Sequence, residues 1–305
     1  MKILVATEKP FAKVAVDGIR AEVKKAGYEL ALLEKYTDKA QLLAAVQDAD
    51  ALIIRSDKVD SAVLNAAKKL KIVVRAGAGY DNIDLEAATA HHVVAMNTPG
   101  QNSNAVAELV LGLMVMAVRH FYDGTSGTEL KGKKLGLHAF GNVGRNVARI
   151  AKGFGMDIYA YDAYCPDSVM EAEGVHPVHS AEELYQTCDI VSLHIPATEE
   201  TRHSIGRHQL CLMSKRSLLI NTARKEVINE PELLDFMREN EDFCYVADVK
   251  PDREEEFKAF AGRYFATPKK MGAQTAEANI NAGIAAAQQI VDYFQNGNTR
   301  FQVNK

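Results

Sequence analysis

No stretch of this chain is apolar for long enough to cross a bilayer. The longest apolar run, Leu109 to Val118, is bounded by Glu108 and Arg119. A transmembrane helix needs about 20 such residues, so this run reads as a buried helix. Cysteine is also scarce. Cys165, Cys188, Cys211 and Cys244 show neither a paired spacing nor a metal pattern, which argues against a disulfide framework and a zinc site, and for reduced thiols in a cytoplasm. Neither sign of charge is in large excess. With 36 Lys and Arg against 40 Asp and Glu, the net charge is -4 and the signs are interspersed. The basic footprint of a nucleic-acid-binding protein is therefore missing. Lys2 to Ala6 runs directly into a strand pattern, so no signal peptide is expected.

What is present is a regular alternation. Short apolar strands are predicted at Lys2 to Ala6, Glu29 to Leu33, Ala51 to Ile54, Lys71 to Val74 and Val93 to Met96, with helical segments between them. That pattern argues for a parallel sheet. Asn97, Thr98, Pro99 and Gly100 interrupt it, and a long helix is expected from about Ala105 to His120. Further strands follow at Ile190 to Leu193, Ser217 to Asn221 and Phe243 to Ala247, and an alanine-rich helix runs from about Ala276 to Phe294. At 305 residues the chain exceeds the usual single core, so two domains of roughly 100 to 200 residues each are expected. The domains are placed at 1–98 plus 284–305 and at 99–283, the second inserted between two linker helices. The fold class is α/β, with two doubly wound parallel sheets.

The stretch from Lys134 to Asp162, KLGLHAFGNVGRNVARIAKGFGMDIYAYD, organises the second domain. Lys134 to His138 reads as a buried strand and Asp157 to Tyr161 as another. Between them Val143, Val147, Ile150, Ala151 and Phe154 recur at helical spacing. The turn departs from G-x-G-x-x-G: it runs Ala139, Phe140, Gly141, Asn142, Val143, Gly144, with alanine at the first glycine position. Gly141 still lets backbone approach a pyrophosphate, and Gly144 still lets helix pack on strand. Asp162 lies 18 residues after Gly144, where a dinucleotide fold carries the acid that binds a ribose 2'-hydroxyl and repels the 2'-phosphate of NADP. The cofactor is read as NAD.

VVRAGAGYDNID at Val73 to Asp84, NTPGQNSNAVAEL from Asn97, the glycine turn, LHIP at Leu193 to Pro196 and INTARKE at Ile220 to Glu226 resemble, in order and spacing, the D-2-hydroxyacid dehydrogenases. Within that family the likeness is greatest to short phosphoglycerate dehydrogenases without a C-terminal regulatory domain, and it extends to RSDKVD at Arg55 to Asp60 and the terminal FQVNK. The resemblance implies two Rossmann-like domains with the active site in the cleft between them, usually as a homodimer. It implies cofactor contacts from Ala78, Gly141, Asn142, Val143, Gly144, Asp162, His194, Ile195, Pro196, Thr222, Ala223, Asp248, Gly272 and Ala273. The activity it implies is NAD-dependent oxidation of 3-phospho-D-glycerate, the entry step to serine. Two alternatives stay open: reduction of hydroxypyruvate or glyoxylate, and a non-catalytic NAD-sensing interaction protein.

The family's catalytic set carries over only in part. Its arginine, in an N-x-A-R context, matches Arg224. Its glutamate, five residues after an aspartate in D-V-x-x-x-E-P, is absent, because Asp248, Val249, Lys250, Pro251 and Asp252 lead to Arg253. Its histidine before an apolar residue and Gly-Ala is absent too. Counting back from Met271, Gly272 and Ala273, Lys270 takes that place. A lysine starts near pKa 10.4 and must fall toward about 7 to 8 to act as a base near neutral pH. A glutamate would raise it, whereas Arg224, Lys269 and partial burial would lower it, so both losses together are consistent with a lysine mechanism. A subgroup of the family is thought to use lysine here. The alternative is a solvated surface charge, the more natural reading for Lys269.

On the substrate side, Arg55, Ser56 and Lys58 follow one strand. Gly77 to Gly79 form a turn that can aim N–H groups at a carboxylate. With Arg224 these groups suit a phosphorylated 2-hydroxy acid. His138, His194, His91 and His92 have no acid at a clear spacing and are read as structural rather than as bases. NAD is expected to bind far better than NADP, and Asp162→Ala to narrow the gap. Titration of both cofactors by nucleotide fluorescence checks this, and equal affinity in the unmutated protein would remove the assignment.

Overall fold

The computed structural model describes residues 1–304; Lys305, the last residue of the FQVNK stretch and of the expected 284–305 segment, lies outside the described residues. The chain forms two units, Met1–Asn102 with Gln274–Lys305, and Ser103–Ala273. Both are doubly wound α/β folds with all-parallel sheets.

In the first unit the strands are β1 (Lys2–Thr7), β2 (Glu29–Glu34), β3 (Ala51–Ile54), β4 (Ile72–Arg75) and β5 (Val94–Asn97), in sheet order β2-β1-β3-β4-β5. Successive side chains alternate between faces. Leu4, Ala6, Leu52, Ile54 and Val73 enter one core with Leu42, Val63 and Ala88. Ile3, Val5, Ala51, Ile53 and Val74 enter the other with Ile19, Val23, Ala286 and Ile290. The second core holds helix Lys13–Lys25 against helix Ala276–Asn296, which is capped by the Thr275 side chain and stopped at left-handed Gly297. These helices approach so closely that a Cβ on Gly18 would lie 2.6 Å from Cδ1 of Ile284.

The second unit adds β6 (Lys134–His138), β7 (Asp157–Tyr161), β8 (His176–Pro177), β9 (Ile190–Leu193), β10 (Leu218–Asn221), β11 (Cys244–Ala247) and β12 (Tyr264–Ala266), in order β12-β11-β10-β9-β6-β7-β8. Counted from β6, the first six strands have the 3-2-1-4-5-6 order of dinucleotide-binding sheets, with β12 added beyond. Helices Ser103–Val118 and Asn142–Gly153 cover one face, where Val110, Met114, Val147 and Ala151 meet Leu135, Leu137 and Ile220. Leu184, Leu210 and Leu234 cover the other.

The strands read from sequence agree to within one residue at each end, but β8 and β12 were not foreseen. Each is only two or three residues long, too short to show alternation. The unit boundaries fall at 102/103 and 273/274 rather than at 98/99 and 283/284. The whole of helix Ser103–Val118 packs on the second sheet, and the whole of helix Ala276–Asn296 on the first. That first helix also stops at Val118 rather than His120, because His120, Phe121 and Tyr122 take left-handed φ values of 48°, 53° and 62°.

Asn304 ties the far end of the chain to β5. Its Oδ1 accepts from the Ala95 N–H at 2.8 Å, and its Nδ2 donates to the Val93 carbonyl at 2.9 Å. The residue is 5% exposed, so truncation would leave buried partners unsatisfied. Asn304→Ala is expected to destabilise the first unit by about 1 to 3 kcal/mol, read as a lower urea midpoint.

Candidate active site

Every predicted cofactor residue of the second unit sits at the carboxyl end of one of its strands. In sheet order these are Asp162 after β7, the glycine turn after β6, His194, Ile195 and Pro196 after β9, and Thr222, Ala223 and Arg224 after β10. Asp248 follows β11, and Lys270 to Ala273 follow β12. The chain diverges between β6 and β9, where doubly wound sheets open a crevice for a ligand. From Asp162 to Arg224 the rim spans three strand spacings, roughly 14 Å. The two ends of an extended ligand would thus meet different strands.

The glycine turn has the features a dinucleotide needs. Ala139, at the first glycine position, holds the turn at a φ of 86°, a left-handed conformation that costs a non-glycine residue about 1 to 2 kcal/mol. A Cβ on Gly144 would come 2.5 Å from the Ala139 carbonyl oxygen, so helix Asn142–Gly153 can start here only with glycine. Gly141 differs: its φ is -78°, and a Cβ there would meet nothing within 4 Å. The protein itself does not require glycine at that place, which fits an approach reserved for a ligand. The first-turn amides of Asn142, Val143 and Gly144 are those a helix start offers to a phosphate.

Asp162 has a structural task as well. Its Oδ2 accepts from the Phe140 N–H at 2.7 Å, and its Oδ1 from the N–H groups of Tyr164 at 2.9 Å and Cys165 at 3.2 Å. It therefore fixes the glycine turn against the loop leaving β7 while keeping a carboxylate at the rim.

Further along, both ring nitrogens of His194, the Thr222 hydroxyl and the Ser192 hydroxyl are buried without a hydrogen-bond partner. Buried polar atoms are seldom left so, and His194 and Thr222 stand at the strand ends where a cofactor would lie. Burial lowers the His194 pKa to about 3, with neighbouring His138 adding to the shift, and burial lowers His138 to about 4. His138 rests against the Tyr185 hydroxyl at 3.2 Å.

Arg224 and Lys270 converge. Nη1 of Arg224 donates to the Ala223 carbonyl at 2.9 Å, and Nζ of Lys270 donates to the same oxygen at 2.7 Å. The turn carrying Lys270 is clamped by Asp248, which is 1% exposed. The Asp248 carboxylate accepts from the Thr267 hydroxyl at 2.9 Å and from the Met271 and Gly272 N–H groups at 2.7 Å each. A Cβ on Gly272 would lie 2.8 Å from that carboxylate. Lys270 as a residue is exposed, while its Nζ turns inward to a part-buried bond with the Ala223 carbonyl. Lys269 is exposed and has no ion pair among the described residues.

Arg253, where the family has glutamate, turns to Glu256 at 2.5 Å. Its N–H and that of Asp252 donate to Glu230 at 2.8 Å each. Lys225, next to Arg224, pairs with Asp252. The segment after β11 is thereby tied to the segment after β10.

In the first unit the predicted substrate residues do not form one cluster. Strand alternation sends Arg55 to one face, where its guanidinium donates to the carbonyls of Lys9 and Pro10 and to Asn279 Oδ1 at 2.6 Å, and lies over the Phe11 ring. Ser56 and Lys58 leave on the other face and line a hollow of about 310 Å³ with Glu8, Tyr36, Lys39, Leu42 and Asp60. The hollow lies at the carboxyl ends of β1, β2 and β3. The Gly77 N–H is already committed to the Thr98 hydroxyl at 2.6 Å, and the Asn97 amide donates to the Ala78 carbonyl. The turn therefore does not present a free N–H at Gly77. Asn279, Thr267 and Asp57, whose carboxylate accepts from the Glu8 and Arg55 N–H groups and the Tyr36 hydroxyl, carry no sequence signal of these contacts. Asn279 is 224 positions from Arg55, and no local pattern joins such a pair.

Two parallel doubly wound units, one with a glycine turn, a rim acid and orphaned polar atoms at its divergence point, describe an NAD-linked dehydrogenase. Residues 113–266 match the family model "D-isomer specific 2-hydroxyacid dehydrogenase, NAD binding domain". The chain belongs to the D-2-hydroxyacid dehydrogenase family. A D-3-phosphoglycerate dehydrogenase of Methanocaldococcus jannaschii is 39% identical over 83% of this chain and 51% of its own length. The chain thus spans about half of that relative. A hydroxypyruvate reductase of Thermotoga maritima is 36% identical over 86% of this chain and 90% of its own length. The crystal structure of NAD+-bound 3-phosphoglycerate dehydrogenase of Entamoeba histolytica is 48% identical, covers 100% of this chain and 99% of that one, and superposes with a TM-score of 0.87.

The buried imidazoles make a pH prediction. Their folded values lie below the ordinary 6.5, so the folded chain binds fewer protons than the unfolded one between about pH 4 and 6.5. Stability is retained above 6.5 and falls as pH drops through that window, by up to roughly 1.4 kcal/mol per pH unit for each histidine. Urea unfolding at stepped pH should show the slope, and His138→Asn should flatten it. An unchanged slope in the variant would mean that His138 is not buried neutral.

Proposed function

We propose that this chain catalyses NAD-dependent oxidation of the C2 hydroxyl of 3-phospho-D-glycerate to 3-phosphohydroxypyruvate, the first step of L-serine biosynthesis. The observation that carries the reading is the meeting of Arg224 and Lys270 on the Ala223 carbonyl. It supports a reading in which a planar cation and an amine act on one reacting centre. Arg224 holds the substrate carboxylate through its fork and polarises the forming ketone. Lys270, once neutral, takes the C2 hydroxyl proton. NAD, when bound, accepts the hydride. The fit of the second unit to that cofactor rests on the open space at Gly141, the orphaned His194 and Thr222 atoms, and Asp162 at the rim. Asp248 holds the Lys270 turn through the Met271 and Gly272 N–H groups, and Asp248, Gly272, Ala273, Ile195, Pro196 and Ala78 are proposed as further cofactor contacts.

Arg55, Ser56, Lys58 and Gly79 are proposed to read the substrate, whereas the Gly77 N–H is held by Thr98. Lys58 and Ser56 line a hollow with Lys39, Glu8 and Asp60, while the Arg55 guanidinium donates to neutral oxygens with the Asp57 carboxylate nearby. A homodimer and a cytoplasmic setting belong to the same proposal, carried by the family resemblance. The Entamoeba relative, named a 3-phosphoglycerate dehydrogenase and crystallised with NAD+, supports the choice of substrate. The Thermotoga relative puts hydroxypyruvate on the panel to be tested.

The test follows NADH absorbance with phosphoglycerate, phosphohydroxypyruvate, hydroxypyruvate and glyoxylate. Lys58→Ala or Arg55→Ala should weaken the phosphorylated substrates by about 1.5 to 3 kcal/mol and hydroxypyruvate by less. If both kinds suffer alike, these residues do not read the phosphate. Lys270→Ala should lose about 100- to 10,000-fold in turnover with NAD still bound, and Lys269→Ala much less. Oxidation should rise with pH as the lysine deprotonates. Near-normal turnover in Lys270→Ala would move the chemistry to another group.

A further inference from the structure

The outer face of helix Asn142–Gly153 carries a concentration of positive charge that the reaction does not use. Arg145, Asn146, Arg149 and Lys152 from this helix, with Glu173, line a hollow of about 320 Å³. Three cations face one carboxylate there, an excess of two positive charges in a chain whose net charge is -4. The single acid is already engaged, since Glu173 pairs with Nη1 of Arg145 at 3.1 Å. Arg149 and Lys152 pair with no carboxylate among the described residues.

Two of the cations are also held in position by neutral groups. Nη2 of Arg149 donates to Asn104 Oδ1 at 2.7 Å and to Asn146 Oδ1 at 3.2 Å, which orients the guanidinium without cancelling its charge. Nε of Arg145 donates to the Phe140 carbonyl at 3.2 Å, and its guanidinium lies 5.5 Å from the centre of the Phe140 ring. Lys152 closes the hollow beside Gly174, where a Cβ would stand 3.3 Å from Nζ. A fixed fork with uncancelled charge, as at Arg149, is what phosphate oxygens select, because a guanidinium offers paired donors and less of its side-chain entropy is lost on binding.

We propose that this hollow binds a small phosphate-bearing anion at a site separate from the cofactor turn. It lies on the solvent side of the helix whose first turn receives the cofactor, so both sites can be filled at once. One phosphate group carries about two negative charges near pH 7 and offsets the excess of two. The volume of about 320 Å³ also has room for a diphosphate.

Inorganic pyrophosphate is the probe, titrated by calorimetry into the full chain with NAD saturating, so that the cofactor's own pyrophosphate site is filled. The expected result is one pyrophosphate per chain, with affinity that weakens as salt is raised, since these groups are exposed and screened. Arg149→Ala combined with Lys152→Ala should weaken binding at least tenfold, while NAD affinity and the thermal midpoint stay as they were. Arg149→Lys should retain part of the binding. Because NAD affinity rather than turnover is the control, the test does not depend on which substrate the enzyme oxidises. No binding at millimolar pyrophosphate, equal binding by the double variant, or a salt-independent signal would each overturn the proposal.

Discussion

Everything the second unit does depends on the parallel direction of its strands. When all strands of a sheet run the same way, their exits share one edge, and residues far apart in sequence are delivered to a single rim. Here that edge receives Asp162, the glycine turn, His194, Thr222, Arg224, Asp248 and Lys270 from six strands. Hydrogen bonds between strand exits then set finer positions. Asp162 binds the loop after β6, Asp248 the loop after β12, and Glu230 the loop after β11. Buried or half-buried carboxylates accepting backbone N–H groups are the common device. Each converts a flexible strand exit into a fixed turn.

The residues that could be read from sequence were those whose role is local. A strand's apolar run, the glycine turn and the acid at the next strand's end are each encoded within a few positions, and the structure places them at the rim as the spacing implied. What could not be read depends on distance or parity. Arg55 and Ser56 are adjacent in sequence, yet β3 points them to opposite faces, so the expected cation cluster divides. The Arg55–Asn279 and Asp248–Thr267 bonds join segments with no shared pattern, and β12 is too short to announce itself.

The segment that lacks the family's glutamate is held by other contacts. The segment from Asp248 to Arg253 is not left loose: Glu230 takes two of its N–H groups, Arg253 pairs with Glu256, and Asp252 pairs with Lys225. Its shape is kept by backbone acceptance and by peripheral ion pairs. Exposed pairs of this kind contribute about 1 kcal/mol or less each, so the two buried-side bonds of Glu230 carry more of the constraint than the charges around them.

The first unit is assembled from both ends of the chain, since helix Ala276–Asn296 and Asn304 complete cores begun by β1 to β5. The second unit is contiguous. As domains generally fold as they emerge from the ribosome, the contiguous second unit can form from one segment, while the first waits with one sheet face uncovered until helix Ala276–Asn296 is made. The apolar Ile53 and Val74 face therefore stays uncovered while the second unit is being made, and that interval is when a chaperone has most to protect.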